Sequence, residues 1–387
     1  MEKYTINPKE CIGCTACAHS CPVGAIKIQK NAEGFFGAVI KDEDCIKCGM
    51  CFNVCPVQQG SNAEKEYKAA YACYSKNKDI QRGSTSGGIF YFIAKEILKV
   101  GGAVYGVTMD EDLVVKHILV QKEEDFYKLQ GSKYVQSELG DTYAQIKERL
   151  ENGEQVLFSG TGCQVAGLKN YLKKDYENLL TVDLICHGIP SPGMFEDYTA
   201  YLGKKYGGKV VSYKFRQKNP KEAQSYDTKI KVQKGSKILE KTVSGDDDPF
   251  TLNYLQNTLQ NSQCYKCKFA SIERSADITL GDYWGINEVH PDFSNGNSVS
   301  LVLLNTDRAL TVWDSIKSKL EFLLTEKDKI LKRNRQLSEP APYNARREDI
   351  YASYKMGKFG HKFYYKHFVG KNMAIYLLKR KLLEILK

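Results

Sequence analysis

The chain has 387 residues, of which 42% are hydrophobic and 26% are charged, and its formal net charge is +10. These proportions are ordinary for a globular protein, and the length predicts two or three domains. No apolar run is long enough to cross a bilayer, and the first residues lack the hydrophobic stretch of a signal peptide. We therefore expect a cytoplasmic protein, because a reducing compartment suits a chain with many cysteines and no secretion signal.

Two runs of four cysteines near the N-terminus share one spacing. Both follow the pattern C-x2-C-x2-C-x3-C-P, which is typical of bacterial two-cluster ferredoxins and in which the fourth cysteine ligates the other cluster. Paired zinc sites are the weaker interpretation, since zinc ligands come in pairs separated by longer segments. We predict two [4Fe-4S] clusters in residues 1–60, one on Cys11, Cys14, Cys17 and Cys55, the other on Cys45, Cys48, Cys51 and Cys21. Such clusters are commonly sensitive to oxygen, so an anaerobic host is expected.

After a polar linker at 60–68, the pattern changes to alternating strands and helices. Apolar residues at helical spacing predict a helix over 89–100, which ends at Gly101 and Gly102. The other predicted helices are 141–150, 165–174, 192–206, 249–259 and a long final one at 305–324. The predicted strands are 69–74, 103–107, 114–120, 155–158, 179–186, 210–215, 278–280 and 299–304, and the segment 229–243 is predicted as β-structure that turns at Gly235.

Five cysteines remain outside the two runs. Cys163 follows a predicted strand and Cys186 ends the next one, so in an α/β sheet both would lie at the carboxyl edge. Cys264 and Cys267 form a C-x2-C pair, which cannot complete a four-coordinate site alone. The four together could form a third four-thiolate site, while zinc, a catalytic dithiol and ordinary buried cysteines remain alternatives. Cys73, inside a strand, is interpreted as a small core residue.

Polar, glycine-rich segments mark a candidate cofactor site. The first lies directly before the helix at 89, where free backbone N–H groups favour an anion such as a flavin pyrophosphate. An N-cap with a flexible turn is its alternative interpretation. A second segment adds hydrogen-bond donors and an aromatic ring, and Asp282 follows a strand beside Tyr283 and Trp284. The candidate cofactor-binding residues are Ser84, Thr85, Ser86, Gly87, Gly88, Gly131, Ser132, Lys133, Tyr134 and Ser137.

Taken in order, these motifs resemble a known family. The segments 84–88, 131–137, 160–169 (GTGCQVAGLK), 183–192 (DLICHGIPSP), 264–267 (CYKC) and 276–285 (ADITLGDYWG) closely resemble the beta subunits of coenzyme F-420 (8-hydroxy-5-deazaflavin) reducing hydrogenases and dehydrogenases. The best match is the version with an N-terminal two-cluster ferredoxin, and the resemblance spans roughly residues 1–330. One departure is Gly162, since family members usually have proline before this cysteine.

The resemblance implies cofactors and an activity. It implies FAD, and a third [4Fe-4S] cluster on Cys163, Cys186, Cys264 and Cys267. Clusters carry single electrons whereas a hydride acceptor needs two, and FAD can connect them. We therefore expect an FAD- and iron–sulfur-dependent oxidoreductase, with coenzyme F-420 as a candidate acceptor and with His187 and Asp282 as candidate catalytic residues. A histidine beside a metal ligand is otherwise a support for that ligand.

The predicted fold combines the α+β and α/β classes. A bacterial two-cluster ferredoxin fold at 1–60 precedes a mixed α/β flavin-binding region, with an N-terminal part at 68–150 and a C-terminal part at 151–330 that holds the third cluster. The alternatives are a non-catalytic electron-relay subunit, a ferredoxin-dependent reductase of another substrate, and a nucleic-acid-binding protein with structural metal. The expected partners are a redox protein, such as a ferredoxin or a hydrogenase or dehydrogenase subunit, and a small hydride donor or acceptor, but no nucleic acid.

The positive charge is concentrated at the C-terminus. Residues 361–387 contain seven lysines and arginines but a single glutamate, which accounts for more than half of the net charge. We expect residues 331–387 to form a basic helical tail that contacts a partner or an anionic membrane surface. A solvated helix is the alternative, and no nucleic-acid-binding motif is present.

Overall fold

The computed structural model describes residues 6–60, 63, 66–219, 222–245 and 247–369. The strands are β1 (Ile26–Lys30), β2 (Phe36–Ile40), β3 (Ala69–Ser75), β4 (Ala103–Met109), β5 (Val115–Val120), β6 (Val156–Thr161), β7 (Leu179–Leu184), β8 (Lys209–Asn219), β9 (Glu222–Lys234), β10 (Lys237–Val243), β11 (Ile278–Asp282), β12 (Ser300–Leu304) and β13 (Leu320–Leu324). The α-helices are α1 (Ala16–Ser20), α2 (Met50–Val54), α3 (Pro56–Gln59), α4 (Lys78–Gly83), α5 (Ile89–Lys99), α6 (Thr142–Glu151), α7 (Gly162–Leu172), α8 (Pro192–Tyr206), α9 (Pro249–Leu255), α10 (Ile286–Val289), α11 (Asp307–Ile316), α12 (Lys327–Leu331), α13 (Arg346–Ser353) and α14 (His361–Tyr364).

Within this part of the chain, each helix is too short or too polar to span a membrane. The predicted class is confirmed: a small ferredoxin-like domain precedes a mixed α/β region. In the ferredoxin-like domain, β1 and β2 form an antiparallel hairpin, and the short helices α1 and α2 follow the first cysteines of the two runs.

An eight-stranded mixed sheet organises the rest, in the order β13-β3-β12-β11-β7-β6-β4-β5. β4, β6, β7 and β11 run parallel in its middle, so their carboxyl ends meet at one edge. Helices α6 and α7 cover one face of the sheet together with the ferredoxin-like domain. Helices α5 and α11 cover the other face. The central strand β7 is buried on both faces, which explains its nearly continuous apolar sequence.

The long helix predicted at 305–324 is wrong in its second half. Helix α11 ends at Ile316, and Leu320–Leu324 forms the edge strand β13, antiparallel to β3. Strand pairing brings Phe322 edge-on to Tyr71 and Trp313, whose rings stack at 4.3 Å. This aromatic contact is available only to the strand, so tertiary packing overrides the helical spacing of the apolar residues.

A three-stranded antiparallel sheet, β10-β9-β8, packs against α8, α9 and α13 over an aromatic core. The predicted basic tail differs here from the structure: Leu331 and Leu337 pack with residues of β3 and β12, and residues 346–369 belong to this body. Tyr364 and Phe368 are buried and stack on Tyr198, with ring centroids 6.5 and 6.2 Å away. The physical reason is the aromatic content of the segment, which outweighs its charge. The rest of the predicted tail, from residue 370, lies outside the described residues.

We predict that His117 on β5 makes the stability of the fold depend on pH. Its ring stacks on Phe158, and Nε2 lies 3.2 Å from the Ser159 carbonyl oxygen, while Nδ1 has no partner among the described residues. Burial lowers the pKa of His117 from 6.5 to about 4. Between these values the unfolded chain binds a proton that the folded chain does not, so the free energy of unfolding should fall by about 3 kcal/mol as pH drops from about 6.5 to 4.

The measurement is denaturant unfolding of wild type and His117→Asn over this pH range. The variant should lose the part of the slope that His117 contributes, about 3 kcal/mol over this range, whereas His361→Asn, at an exposed position, should keep it. Equal slopes in His117→Asn and wild type would contradict the assignment.

Candidate redox site

The first cysteine group lies around α1. Burial raises the pKa of the Cys14 thiol well above its usual value, and the neighbouring Cys17, Cys11 and Cys55 raise it further. The N–H groups of Gly13 and Ala38 donate to Cys11 Sγ, both at 3.3 Å. Such N–H···S bonds stabilise thiolates and tune the potential of a cluster. The structure thus brings Cys55 of the second run to the first three cysteines of the first run, as the predicted crossed ligation requires.

The second group lies nearer the surface. Cys21, Cys45, Cys48 and Cys51 line one small apolar cavity, and the Ala25 N–H donates to Cys21 Sγ at 3.3 Å. Left-handed backbone at Lys47 and Gly49 turns the chain between these cysteines. Cys48 is exposed and its neighbour Ile46 is 61% exposed, so this group faces solvent.

The remaining four cysteines of the predicted metal set also come together. Cys163 lies in the first turn of α7, Cys186 follows β7, and Cys264 and Cys267 lie on the loop that begins at Ser262. Burial raises the pKa of Cys163 to about 12 and that of Cys186 to about 11, and in both thiols the nearby Cys267 contributes. Burial also raises the pKa of the Cys264 thiol, and the neighbouring Cys186, Cys163 and Cys267 raise it further.

Helix α7 joins the first and third groups. A Cβ atom at Gly167 would lie 3.0 Å from Cys14 Sγ, so the missing side chain lets this helix approach the ferredoxin-like domain closely. Tyr143 fills the same junction: its hydroxyl donates to the Gln164 carbonyl oxygen at 2.6 Å, and both Cys14 and Cys163 contribute to its raised pKa after burial. The first group is therefore the ferredoxin group that lies against the third.

Polar contacts fix the ferredoxin-like domain on the sheet. The Gln136 amide nitrogen donates to the carbonyl oxygens of Ile12 and Phe36 at 2.9 and 3.1 Å, and its oxygen accepts from the Phe36 N–H at 2.7 Å. Lys268, next to Cys267, donates to the Val57 carbonyl oxygen at 2.6 Å. These contacts fix the position of the ferredoxin-like domain relative to the sheet.

A cavity of about 500 Å³ opens at the carboxyl edge of the parallel strands. This volume is within the usual range for small-molecule and cofactor sites. The cavity reaches Thr161 at the end of β6 and Cys186 of the third group. It brings together nearly all the predicted cofactor and catalytic residues, namely Ser84, Thr85, Ser86, Gly88, Gly131, Ser132, Lys133, Tyr134, Ser137, His187 and Asp282.

Gly87 is the one predicted cofactor residue that does not line this cavity. A Cβ atom there would lie 2.5 Å from the Cys73 carbonyl oxygen and 3.0 Å from Tyr74 Cα. Its N–H donates to Ser300 Oγ at 2.9 Å. Gly87 therefore packs the segment onto β3 and β12, which positions its neighbours along the cavity.

The cavity wall suits an anionic group at one end. Gly88 has a left-handed φ of 87° and begins α5, whose first turn has no side-chain cap among the described residues. Ser132 Oγ donates to Thr85 Oγ1 at 3.2 Å across this end. Lys133 Nζ donates to the carbonyl oxygens of Val107, Leu129 and Gln130 at 2.8, 3.1 and 2.9 Å, and burial lowers its pKa to about 7. Lys133 therefore holds its loop in shape instead of reaching into the cavity.

The opposite wall carries a charged cluster that the sequence did not indicate in full. Asp282, at the end of β11, accepts a hydrogen bond from the buried guanidinium of Arg216 on β8, which lies 5.8 Å from the Trp284 ring centroid. His187 is near both charges: burial lowers its pKa, Asp282 opposes this and Arg216 adds to it. Arg216 was missed because it lies in a long hairpin strand far from every motif, and no local signal marks it.

Among the described residues, no three His, Cys, Asp or Glu side chains converge as ligands of a single metal ion would. The ligands of a [4Fe-4S] cluster bind separate irons and therefore surround a larger space than those of one ion. All three cysteine groups offer only sulfur donors, and none of their thiols is used in a disulfide, which fits iron–sulfur clusters.

The fold and these cysteine groups define an iron–sulfur electron-transfer protein. Residues 10–59 match the family described as 4Fe-4S dicluster domain. Residues 153–329 match the family described as the C-terminal region of the beta subunit of coenzyme F420 hydrogenase/dehydrogenase. The chain thus combines a dicluster domain with a region that matches this beta-subunit family, and the resemblance predicted from its motifs is confirmed.

Individual relatives are distant. The chain is 25% identical over 191 residues to the F subunit of F(420)H(2) dehydrogenase from Methanosarcina mazei, a match that covers 46% of this chain and 53% of that protein. It thus spans about half the length of this curated relative. A solved chain of the F420-reducing [NiFe] hydrogenase complex from Methanosarcina barkeri aligns with a TM-score of 0.45 and 16% identity, over 70% of this chain and 87% of that chain.

Proposed function

We propose that the protein is an FAD- and iron–sulfur-dependent oxidoreductase that passes electrons between [4Fe-4S] clusters and a two-electron partner of the hydride type. The observation that carries the proposal is the cavity that joins the residues predicted for FAD to the strand end of Cys186 and His187. Deazaflavin coenzyme F-420 is our candidate for the partner, because both the matching family and the curated relative are named after it.

The cofactors would be held by distinct parts of the chain. Cys11, Cys14, Cys17 and Cys55 would hold the first cluster, the group of Cys48 the second, and the group of Cys163 the third. When bound, each cluster carries one electron, and FAD exchanges both single electrons and hydride. The free N–H groups at the start of α5, with Ser84–Ser86 and Ser132, would bind the flavin phosphates.

The cavity residues would position the reacting ring and a proton. Arg216 is buried and Asp282 is half-buried, so the pair presents an oriented dipole to the cavity, with the guanidinium beside the Trp284 ring. The lowered pKa of His187 keeps its imidazole neutral near pH 7, so that it can accept a proton or donate a hydrogen bond. His187 follows Cys186 directly, which places this proton site next to the third cysteine group.

A redox protein is proposed as the electron partner, such as a ferredoxin or a component of a hydrogenase or dehydrogenase complex. The curated relative is named as one subunit of a dehydrogenase, and this supports a similar role here. Exposed Cys48 makes the second group the side at which such a partner would exchange electrons.

The third cluster gives the proposal its quantitative test. Anaerobically reconstituted wild type should contain about twelve iron atoms per chain, four for each cluster. Cys264→Ser should reduce the content to about eight, because Cys264 is one of four ligands of one cluster. Cys73→Ala is the matched control: Cys73 is fully buried in β3, and its loss should leave the iron content at the wild-type value.

Iron and acid-labile sulfide, quantified with the flavin spectrum, decide between the alternatives. About eight irons in wild type, or zinc bound at this group, would contradict the third cluster. Full iron content without flavin after gentle anaerobic purification would favour a non-catalytic relay subunit.

A further inference from the structure

A buried ion pair lies among the segments that carry the third cysteine group. Arg274 is 3% exposed and Asp183, on β7, is 1% exposed. The guanidinium Nε and Nη2 donate to Asp183 Oδ2 at 3.1 and 2.7 Å. Neither side chain belongs to the cavity or to the thiol ligands, so the proposed function leaves this pair unexplained.

The guanidinium of Arg274 joins two segments that bring cysteines together. From Nη2 it donates to the Leu184 carbonyl oxygen at 2.9 Å, two residues before Cys186. From Nη1 it donates to the carbonyl oxygens of Phe269 and Ser271 at 2.8 and 3.2 Å, just after Cys267. One planar group with five donors thus ties the loop of Cys264 and Cys267 to the end of β7, which a lysine could not do.

The same pair touches the third segment at Gly162, directly before Cys163. A Cβ atom at Gly162 would lie 3.2 Å from Asp183 Oδ2 and 3.3 Å from Arg274 Nη2. The two opposite charges therefore lie beside the backbone of Cys163 and Cys186 and the loop of Cys267. Charges this close to a cluster set its potential, since reduction adds a negative charge to it.

We infer that Arg274 is a positioning residue of the third cysteine group: it locks the Cys264–Cys267 loop onto β7, and with Asp183 it sets the reduction potential of the cluster held there. This inference rests on the third cluster of the proposed function. The two charges act in opposite directions, because the cation stabilises the reduced cluster and the carboxylate destabilises it. A merely structural role would not give shifts of opposite sign.

The test is an anaerobic redox titration of the full-length holoprotein at pH 8, in which electron paramagnetic resonance monitors the reduction of each cluster. Asp183→Asn should raise the midpoint potential of the third cluster, and Arg274→Gln should lower it. The double variant should return close to wild type, and the two ferredoxin clusters should keep their potentials throughout. Arg274→Lys keeps the charge, so its potential should stay near wild type, but it should lose iron to a chelator several-fold faster.

Arg308→Gln is the matched control, since Arg308 pairs with Asp277 and donates to the Leu179 carbonyl oxygen at the opposite end of β7. It should leave all potentials unchanged. Shifts of the same sign in Asp183→Asn and Arg274→Gln, or none, in a protein with about twelve irons would overturn the inference alone. A wild-type protein without a third-cluster signal would overturn the third cluster of the proposed function, and this inference with it.

Discussion

Replacing Cys21 with serine should remove the cluster of the second cysteine run and leave the cluster of the first run intact. Proximity in the sequence suggests the reverse result, because Cys21 is only four residues from Cys17. The structure places Cys21 beside Cys45, Cys48 and Cys51, around one cavity. The charges that act on the Cys14 thiol are those of Cys17, Cys11 and Cys55. The expected loss is the whole cluster, about four irons per chain.

Chelator kinetics can identify which cluster is lost. In wild type the second group should lose iron first, because Cys48 is exposed whereas Cys14 and Cys17 are buried. Cys21→Ser should therefore abolish the fast phase of iron release and keep the slow one. Cys55→Ser is the reciprocal variant, in which the fast phase should survive. A fast phase that persists in Cys21→Ser and vanishes in Cys55→Ser would show that ligation is not crossed.

There is a physical reason why the sequence alone predicts these cysteine ligands. Cluster ligands are fixed by short spacings and by the residues that turn the chain between them, so their pattern is local. The strands and helices around Cys163 and Cys186 were equally predictable, because apolar periodicity and glycine stops mark them. The parallel strands then bring both cysteines to one edge, as predicted from the order of elements.

Contacts between distant segments were not predictable in this way. Arg216 and Asp282 are separated by 66 residues and Arg274 and Asp183 by 91, and only the sheet topology pairs them. The strand Leu320–Leu324 likewise depends on Tyr71, far along the chain. Gly87 illustrates the same limit: its place in a glycine-rich motif suggested ligand contact, but the neighbouring β3 backbone explains why it is glycine.

Gly87 is therefore a poor position for testing the flavin site, and Ser132 is a better one. A leucine at 87 would collide with the β3 backbone and disturb the sheet whether or not FAD binds there. Ser132 is half-buried in the cavity wall, and its hydroxyl bonds to Thr85 at the end of the cavity near α5. A larger side chain at 132 would thus extend into the space proposed for the flavin phosphates.

Ser132→Trp should strongly weaken flavin binding while all clusters keep their signals. If the tryptophan side chain overpacks the FAD complex by about 3 kcal/mol, the affinity for FAD falls about a hundredfold. Ser132→Ala removes one hydrogen bond without adding bulk, so it should lower the affinity for FAD by less than about tenfold. The measurement is FAD released per chain after anaerobic purification, with iron content as the control for folding. Because the bulk at 132 would occupy the phosphate end directly, stoichiometric FAD in a fully iron-loaded Ser132→Trp protein would place the flavin outside this cavity.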